Sequence, residues 1–358
     1  MITIGVDFHK HTSSYHVLNE EGAVLTTRKF INDPQLITQF IQSFDGQKQL
    51  AMEATRSWSL FYDCVKNHIT VFKLGHPKKM KLITHSERKN DKQDAKHIAE
   101  MTQKNYLPQA YVSSTTEREI RSLVRFRGFL VNKKRSTKNQ IHALIDRNVW
   151  PCHKPTSFKN LFCRRGLIWL KELELPQRER YILDKQIHQY ETTDKEIKEL
   201  ETVIAQQEVH FDNAVYLRSV PGFKASMVNL YTVLVEGGNI HRFHKSKGYT
   251  YYAGLVPREY SSGDKYRTGR LVKEANMHLR TAFIESTLAA IRVDKGLRAY
   301  YKSVKERNGS GAAIVATARK LACAVYHVLK EQRMYHYEQC INAPTVACHS
   351  SSTLRTKQ

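Results

Sequence analysis

Cysteine is scarce in this 358-residue chain, and the six present (Cys64, Cys152, Cys163, Cys323, Cys340 and Cys348) form no CxxC pair. That excludes a zinc ribbon and a disulfide-stapled scaffold, and it reads as the reduced thiols of a cytoplasmic, nucleoid-associated protein. Long apolar runs are missing as well. The longest one, near the C-terminus, is broken by Arg319 and Lys320, short of the ~20 residues that a membrane span requires. The start, Met1-Ile2-Thr3-Ile4, has no basic segment followed by a long apolar one, so no signal peptide is read. No tandem repeat is visible. Acidic residues are in deficit, 34 Asp and Glu against 57 Lys and Arg, for a formal charge of +23. Such an excess draws in polyanions, and the phosphates of nucleic acid are the densest common array of that kind.

What is present supports real cores: 41% of residues are apolar, with 18 Tyr and 14 Phe, over a length suited to about two domains and a connector. Residues 2–7, 14–19 and 23–30 read as three strands, the last two joined by a turn at Glu21-Gly22. Asn32-Asp33-Pro34 opens a helix to about Phe44. A fourth strand at 49–54, a helix near 57–67, a strand at 70–74, a basic loop (His76, Lys78, Lys79, Lys81) and a helix over 91–104 follow. This is an α/β layer pattern. From Thr115 the periodicity becomes helical. Residues 116–147 carry nine basic side chains against three acidic ones, among them Arg118, Arg121, Arg125, Arg127, Lys133, Lys134, Arg135 and Lys138. A second long helix spans 179–206, with Leu183, Tyr190, Ile197 and Ile204 repeating every seven residues. The pair reads as a helical or coiled-coil arm, with an ordinary helical connector as the alternative. Further helices are predicted up to about Val235, over 273–292 and over 311–333. The resulting division is 1–112, an arm over 113–210, a mainly helical region over 211–335, and a mobile tail over 336–358.

The carboxylates fall in a suggestive order. Asp7 ends the first strand and Glu53 the fourth, while Asp91 and Asp94 open a helix on one shared face. Four converging acids repel one another unless cations sit among them. Mg²⁺ takes oxygen ligands, and pairs of such ions clamp the oxygens of a phosphate displacement. Nearby bases (Lys10, Arg56, Lys78, Lys79, Arg88, Lys89, Lys92 and Lys96) suit a polyanion. Taken singly, each acid is equally a turn or N-cap residue, and Asp94 a surface ion-pair partner.

The segments IGVDFHKHT (4–12), AMEATRSW (51–58) and KNDKQDAKHIAE (89–100) resemble, in order and spacing, the acidic motifs of the DEDD-type, bridge-RNA-guided insertion-sequence transposases. The resemblance implies a RuvC-like domain of the ribonuclease H fold, with Asp7, Glu53, Asp91 and Asp94 as catalytic metal ligands. The stretch YYAGLVPREYSSGDKYRTGRLVKEANMHLR (251–280) is similar to that family's serine motif. It implies a nucleophile at Ser262, directly before Gly263, with Ser261 as its rival. It further implies a covalent serine–DNA link, Mg²⁺, double-stranded DNA, a structured guide RNA and a homo-oligomer in which the two centres meet between protomers. Ala275-Asn276 stands where the family more usually has Gly-Asn.

By chemistry alone, Arg258, Lys265, Arg267 and Arg270 suit charge on a phosphorus under attack, and Gly263 lets backbone approach a phosphate. A Ser-Gly surface turn is the plain alternative. Val220-Pro221-Gly222-Phe223-Lys224 resembles a phosphate-binding helix-hairpin-helix turn, or else is a simple turn between helices. Three competing functions remain: a structure-selective nuclease using only the four acids, a non-catalytic nucleic-acid-binding protein, and an actin-like ATPase. The ATPase wants a glycine-rich phosphate loop after Asp7, and Phe8-His9-Lys10 does not supply one.

Overall fold

The structure, a computed structural model, describes residues 1–83, 91–154, 160–207, 211–224, 226–262 and 265–336, with backbone alone at 82–83, 91–92, 259–262 and 265–268. The chain forms two compact units, Met1–Ser113 and a second beginning at Ser114.

The first unit is a mixed α/β layer. Strands β1 (Ile2–Phe8), β2 (Thr12–Leu18) and β3 (Val24–Ile31) form an antiparallel meander; β4 (Lys48–Glu53) and β5 (Val71–Gly75) add parallel to β1, giving the order β3-β2-β1-β4-β5. β1 is buried on both faces, which is why it reads as a nearly continuous apolar run. One face, with Ile4, Val6, Tyr15, Leu50 and Met52, packs on α1 (Pro34–Gln42) and α2 (Trp58–Val65) through Ile37, Ile41, Phe61 and Val65. Asp33 caps α1 by accepting from the Gln35 and Leu36 amides.

On the other face lies α4 (Asp91–Gln103). A β-carbon on Gly5 would stand 2.2 Å from the Ala95 carbonyl oxygen and 2.5 Å from the Ala99 amide, so only glycine lets the helix approach β1 this closely. The segment read as a basic loop contains a helix, α3 (Pro77–Ile83). Its Met80 is buried with Ala51, Ile98, Met101 and Leu107.

The second unit is mostly helical. α5 (Thr115–Asn148) opens with a capping box between Ser114 and Glu117. It packs on α7 (Gln177–Ala205), and the ion pairs Arg127–Glu201, Lys134–Asp194 and Arg147–Glu179 step in opposite directions along the two helices, which makes the pair antiparallel. All four heptad residues of α7 are buried, together with Ile187 and Thr193. At the far end α6 (Arg164–Glu172) joins the same core through Leu170, so a third helix covers what a two-stranded coiled coil would leave open. At the near end Ile120, Val124 and Ile204 enter a core shared with α8 (Ala214–Ser219), α9 (Met227–Gly237), α10 (Ser246–Tyr252), α11 (Met277–Val293) and α12 (Lys295–Lys330).

The Ser-Gly stretch after Tyr252 lies in a β-hairpin, β6 (Pro257–Ser262) with β7 (Lys265–Leu271). α12 begins well before the expected residue 311 and kinks at Gly309, where φ is 80°. By length and composition it could cross a membrane, but its Ala318, Leu321, Ala322, Val325, Val328 and Leu329 are buried in the core of this unit. Residues 337–358, most of the expected tail, lie outside the described residues.

Candidate active site

The sheet brings Asp7 and Glu53 together. Val6 pairs with Met52 in parallel register, so the next residue on each strand, Asp7 and Glu53, stands side by side at the carboxyl edge. Alternation along β1 puts Asp7 on the face of Gly5, and alternation along β4 puts Glu53 on the face of Ala51. Both are the α4 face. The Gln103 side chain at the end of α4 donates to the Asn19 carbonyl (3.0 Å), at the opposite edge. α4 therefore runs antiparallel to β1, with its N-terminus toward Asp7 and Glu53. From Ala95 back to Asp91 the helix covers ~6 Å, and from Gly5 on to Asp7 the strand covers ~7 Å. Position 91 thus draws level with Asp7.

Asp7 is buried, at 7% exposure; Glu53 is half-buried and Asp94 exposed, and the Asp91 side chain lies outside what is described. His9 Nε2 sits 2.9 Å from Asp7 Oδ2, a partner from within the first acidic motif that was not among the expected site residues. Beside Asp7 on β2, the Ser14 hydroxyl is fully buried with no hydrogen-bond partner among the described residues. The carboxylates are hard oxygen donors of the kind Mg²⁺ or Mn²⁺ takes. Among the described residues, no three acidic, His or Cys side chains already converge on one point.

Four of the cations expected to meet substrate follow the same edge. Lys10 comes after β1, Arg56 after β4, and Lys78 and Lys79 on α3 after β5; all four are exposed. Sheets with parallel strands bind ligands outside their carboxyl ends. Lys96 lies 3.8 Å from Glu100, and Arg88 and Lys89 fall outside the described residues.

The basic helix α5 divides differently from its charge count. Arg125 forks onto Glu236 (2.6 and 2.9 Å), Arg121 donates to the Val235 carbonyl, Arg127 donates to Glu201 (2.7 and 2.9 Å) and Lys134 pairs with Asp194. Lys138 lies over the Phe162 and Tyr190 rings, and burial, then the charge of Lys134, lowers its pKa. Arg118 donates to the Thr115 hydroxyl (3.2 Å). Lys133 and Arg135 are exposed.

Ser262 stands at the tip of the β6–β7 hairpin, in the last backbone pair, Ser262 with Lys265; Ser261 pairs one step back with Tyr266. The side chains of Ser261, Ser262, Lys265 and Arg267 are not described, and Gly263 lies outside the described residues. Arg258 is half-buried in β6 and Arg270 exposed in β7. Asn276, after the hairpin, caps α11 by accepting from the Leu279 amide (3.1 Å). The Ala275-Asn276 departure therefore leaves the cap intact, and Ala275 is not among the residues with positive φ. In the Val220–Lys224 turn, Gly222 has φ 93°, and a β-carbon there would lie 2.1 Å from the Ser286 carbonyl oxygen of α11. That glycine serves packing within the unit. Glu236, 2% exposed, was not singled out from the sequence; a lone acid inside the apolar run of α9 is the signal that marks it.

Residues 4–149 match the DEDD-type IS110 transposase family, described as a transposase. Residues 214–302 match a second family, described as transposase IS116/IS110/IS902. The chain is 25% identical over 339 residues to the transposase for insertion sequence element IS1111A of Coxiella burnetii, covering 93% of this chain and 90% of that protein. It is 25% identical over 338 residues to the transposase for insertion sequence element IS1328 of Yersinia enterocolitica, covering 89% and 94%. A probable family 20 transposase of Pseudomonas aeruginosa is 23% identical over 341 residues, covering 93% and 98%.

Proposed function

The chain belongs to the IS116/IS110/IS902 family of transposases, DNA-processing enzymes, and from that premise we propose that it cuts and rejoins DNA through a covalent link to Ser262. Membership of a DEDD-type family carries divalent-metal dependence; Mg²⁺ is the ion we propose, and the first unit we read as a RuvC-like domain of the ribonuclease H fold. The observation that carries this reading is the adjacency of Asp7 and Glu53 on parallel strands, at the edge toward which α4 directs its N-terminus. A meander followed by two parallel strands supports the fold assignment.

Asp7, Glu53, Asp91 and Asp94 are the residues that would hold Mg²⁺, which when bound supplies Lewis-acid stabilisation of charge on phosphate oxygens. The Ser262 hydroxyl attacks a DNA phosphorus. A P–Oγ bond forms, a P–O bond of the strand breaks, and the departing strand end keeps its oxygen as a hydroxyl. Attack by another strand's hydroxyl on the same phosphorus reverses the step and joins a new partner. Arg258, Lys265, Arg267 and Arg270 offset charge at the phosphate during both attacks. Lys10, Arg56, Lys78 and Lys79 line the approach to the acidic edge. A homo-oligomer in which one protomer's serine works with another's acids belongs to the same proposal. A structured bridge RNA is the guide we propose, held through its phosphates by exposed α5 cations such as Lys133 and Arg135.

The test is Ser262→Ala beside Asp7→Asn. Ser262→Ala is expected to abolish the SDS-stable protein–DNA adduct while DNA binding persists, and Asp7→Asn to abolish metal-dependent cleavage. Cleavage at full rate by Ser262→Ala would instead favour a nuclease in which the four acids activate water.

A further inference from the structure

Glu236 is the most deeply buried acid among the described residues of the helical unit. At 2% exposure it accepts both arms of Arg125 (2.6 and 2.9 Å) and the Asn276 side-chain amide (2.6 Å), and Arg121 Nε lies 3.9 Å away. Burial alone would raise the Glu236 pKa, but the hydrogen bonds from Arg125 and Asn276 and the charges of Arg125 and Arg121 outweigh it and hold the pKa below the usual carboxylate range.

The three elements that meet here come from distant parts of the sequence. Arg125 belongs to α5, Glu236 to the last turn of α9, and Asn276 is the cap of α11. Arg121 and Arg242 also donate to the final α9 carbonyls, Val235 and Gly237, where the helix dipole favours cations. Asn276 is held twice more: its amide donates to the Tyr252 carbonyl (2.9 Å) and its side-chain oxygen accepts from Leu279. Tyr252 and Asn276 bracket the β6–β7 hairpin. One turn further along α11, Arg280 donates to the carbonyl of Val272, the residue after β7 (2.5 Å). Gly254, with φ 68°, lies so close to Ala275 and Arg280 that a β-carbon would be 2.6 Å from one and 2.2 Å from the other. Both ends of the hairpin are thus tied to the start of α11.

We propose that Glu236 is a positioning residue for strand transfer: with Arg125 and Asn276 it locks the base of the Ser262 hairpin to the long helix α5, so that the orientation of the arm sets the orientation of the nucleophile. The proposal rests on the Ser262 reading for its catalytic consequence and on the hydrogen bonds alone for its mechanical one. A buried carboxylate shared by three elements is a strong coupler, because each hydrogen bond to it is charge-assisted and shielded from water. It also gives Arg125 a task other than phosphate contact.

Arg125→Ala, Glu236→Gln and the double variant test this in the full chain, below the unfolding temperature of each. The strand-transfer rate at saturating DNA is expected to fall about tenfold in either single variant, mid-range for partners in one hydrogen-bond network, and no further in the double. The DNA concentration for half-saturation stays within twofold. Amide hydrogen exchange over residues 265–280 speeds up, while that of α12 does not. Unchanged exchange at the hairpin base overturns the mechanical claim whichever residue is the nucleophile. A double variant whose loss is the product of the single losses also overturns it. A shift in half-saturation as large as the loss in rate makes Arg125 a DNA contact and overturns the positioning role. Ser262→Ala, run alongside, reports on the nucleophile separately: an adduct that survives it refutes the serine reading while the exchange data still decide the coupling.

Discussion

Acidic residues do opposite work in the two halves of this protein. In the sheet unit Asp7 and Glu53 stand side by side at one sheet edge, an arrangement that costs repulsion which a divalent ion would relieve. In the helical unit Glu236, Glu201 and Asp194 are each taken up by an arginine or lysine of α5. There the acids organise basic side chains, and some of the positive charge that composition assigns to nucleic acid is spent inside the unit. A charge count along a helix therefore overstates its phosphate-binding capacity unless the facing helix is known.

The sharpest way to break this contrast is Asp7→Asn. It is expected to lower cleavage on the order of 10³-fold while changing stability by no more than ~1 kcal/mol, measured by strand cleavage and thermal unfolding. Glu236→Ala should do the reverse to stability, costing about 2–3 kcal/mol by removing the acceptor that Arg125 and the Asn276 side-chain amide share. If the two variants were equally destabilising, the division between site acids and clamp acids would collapse.

Each unit also has a glycine whose replacement should act locally. Gly5→Ala drives a methyl into the α4 backbone, and Gly222→Ala drives one into α11 at a positive φ. Each is expected to cost roughly 2–3 kcal/mol. Hydrogen exchange should report the first only within residues 1–113 and the second only beyond 114.

Smaller effects separate the α5 cations. Lys133→Ala with Arg135→Ala should lower the salt slope of nucleic-acid binding by about two, one for each phosphate that no longer meets a cation. Arg127→Ala, already paired with Glu201, should leave that slope unchanged. Equal slopes for the two variants would mean that the ion pair opens on binding.

The smallest effect concerns pH. His16 is buried, at 5% exposure, with Nδ1 2.8 Å from the Thr27 hydroxyl. Burial first, then the nearby charge of Lys96, lowers its pKa below 6.5. The folded state therefore favours the neutral ring. Its contribution to stability is complete above pH ~6.5 and is lost as pH falls through the lowered folded value. His16→Gln should flatten that part of the acid-unfolding curve; an unchanged curve removes His16 from the account.

Much of the sheet unit was legible because its cues are local. Apolar runs ending in Asp7 and Glu53, and Asp33-Pro34 opening α1, fix elements within a few residues of where they occur. α3 looks like a loop in sequence because Lys78, Lys79 and Lys81 mask a helix whose anchor, Met80, makes sense only once Gly75 and Ala51 pack beside it. The β6–β7 hairpin does carry a sequence cue in Gly263-Asp264, a dipeptide suited to a two-residue turn, but its flanks lack a clear apolar alternation. The first part of α12 was hidden by its polarity, since only Leu297 and Val304 are buried before Gly309. The partners of Arg125 and Arg127 were not legible at all. They lie 111 and 74 residues away, and which acid meets which base depends on how α5, α7 and α9 pack.

The most direct test of the central claim is to trap the strand-transfer intermediate with DNA and Mg²⁺, digest it, and locate the nucleotide-bearing peptide by mass spectrometry. The account predicts a single phosphodiester on Ser262, absent from Asp7→Asn. A nucleotide on any other side chain, or full cleavage with no adduct, would contradict it.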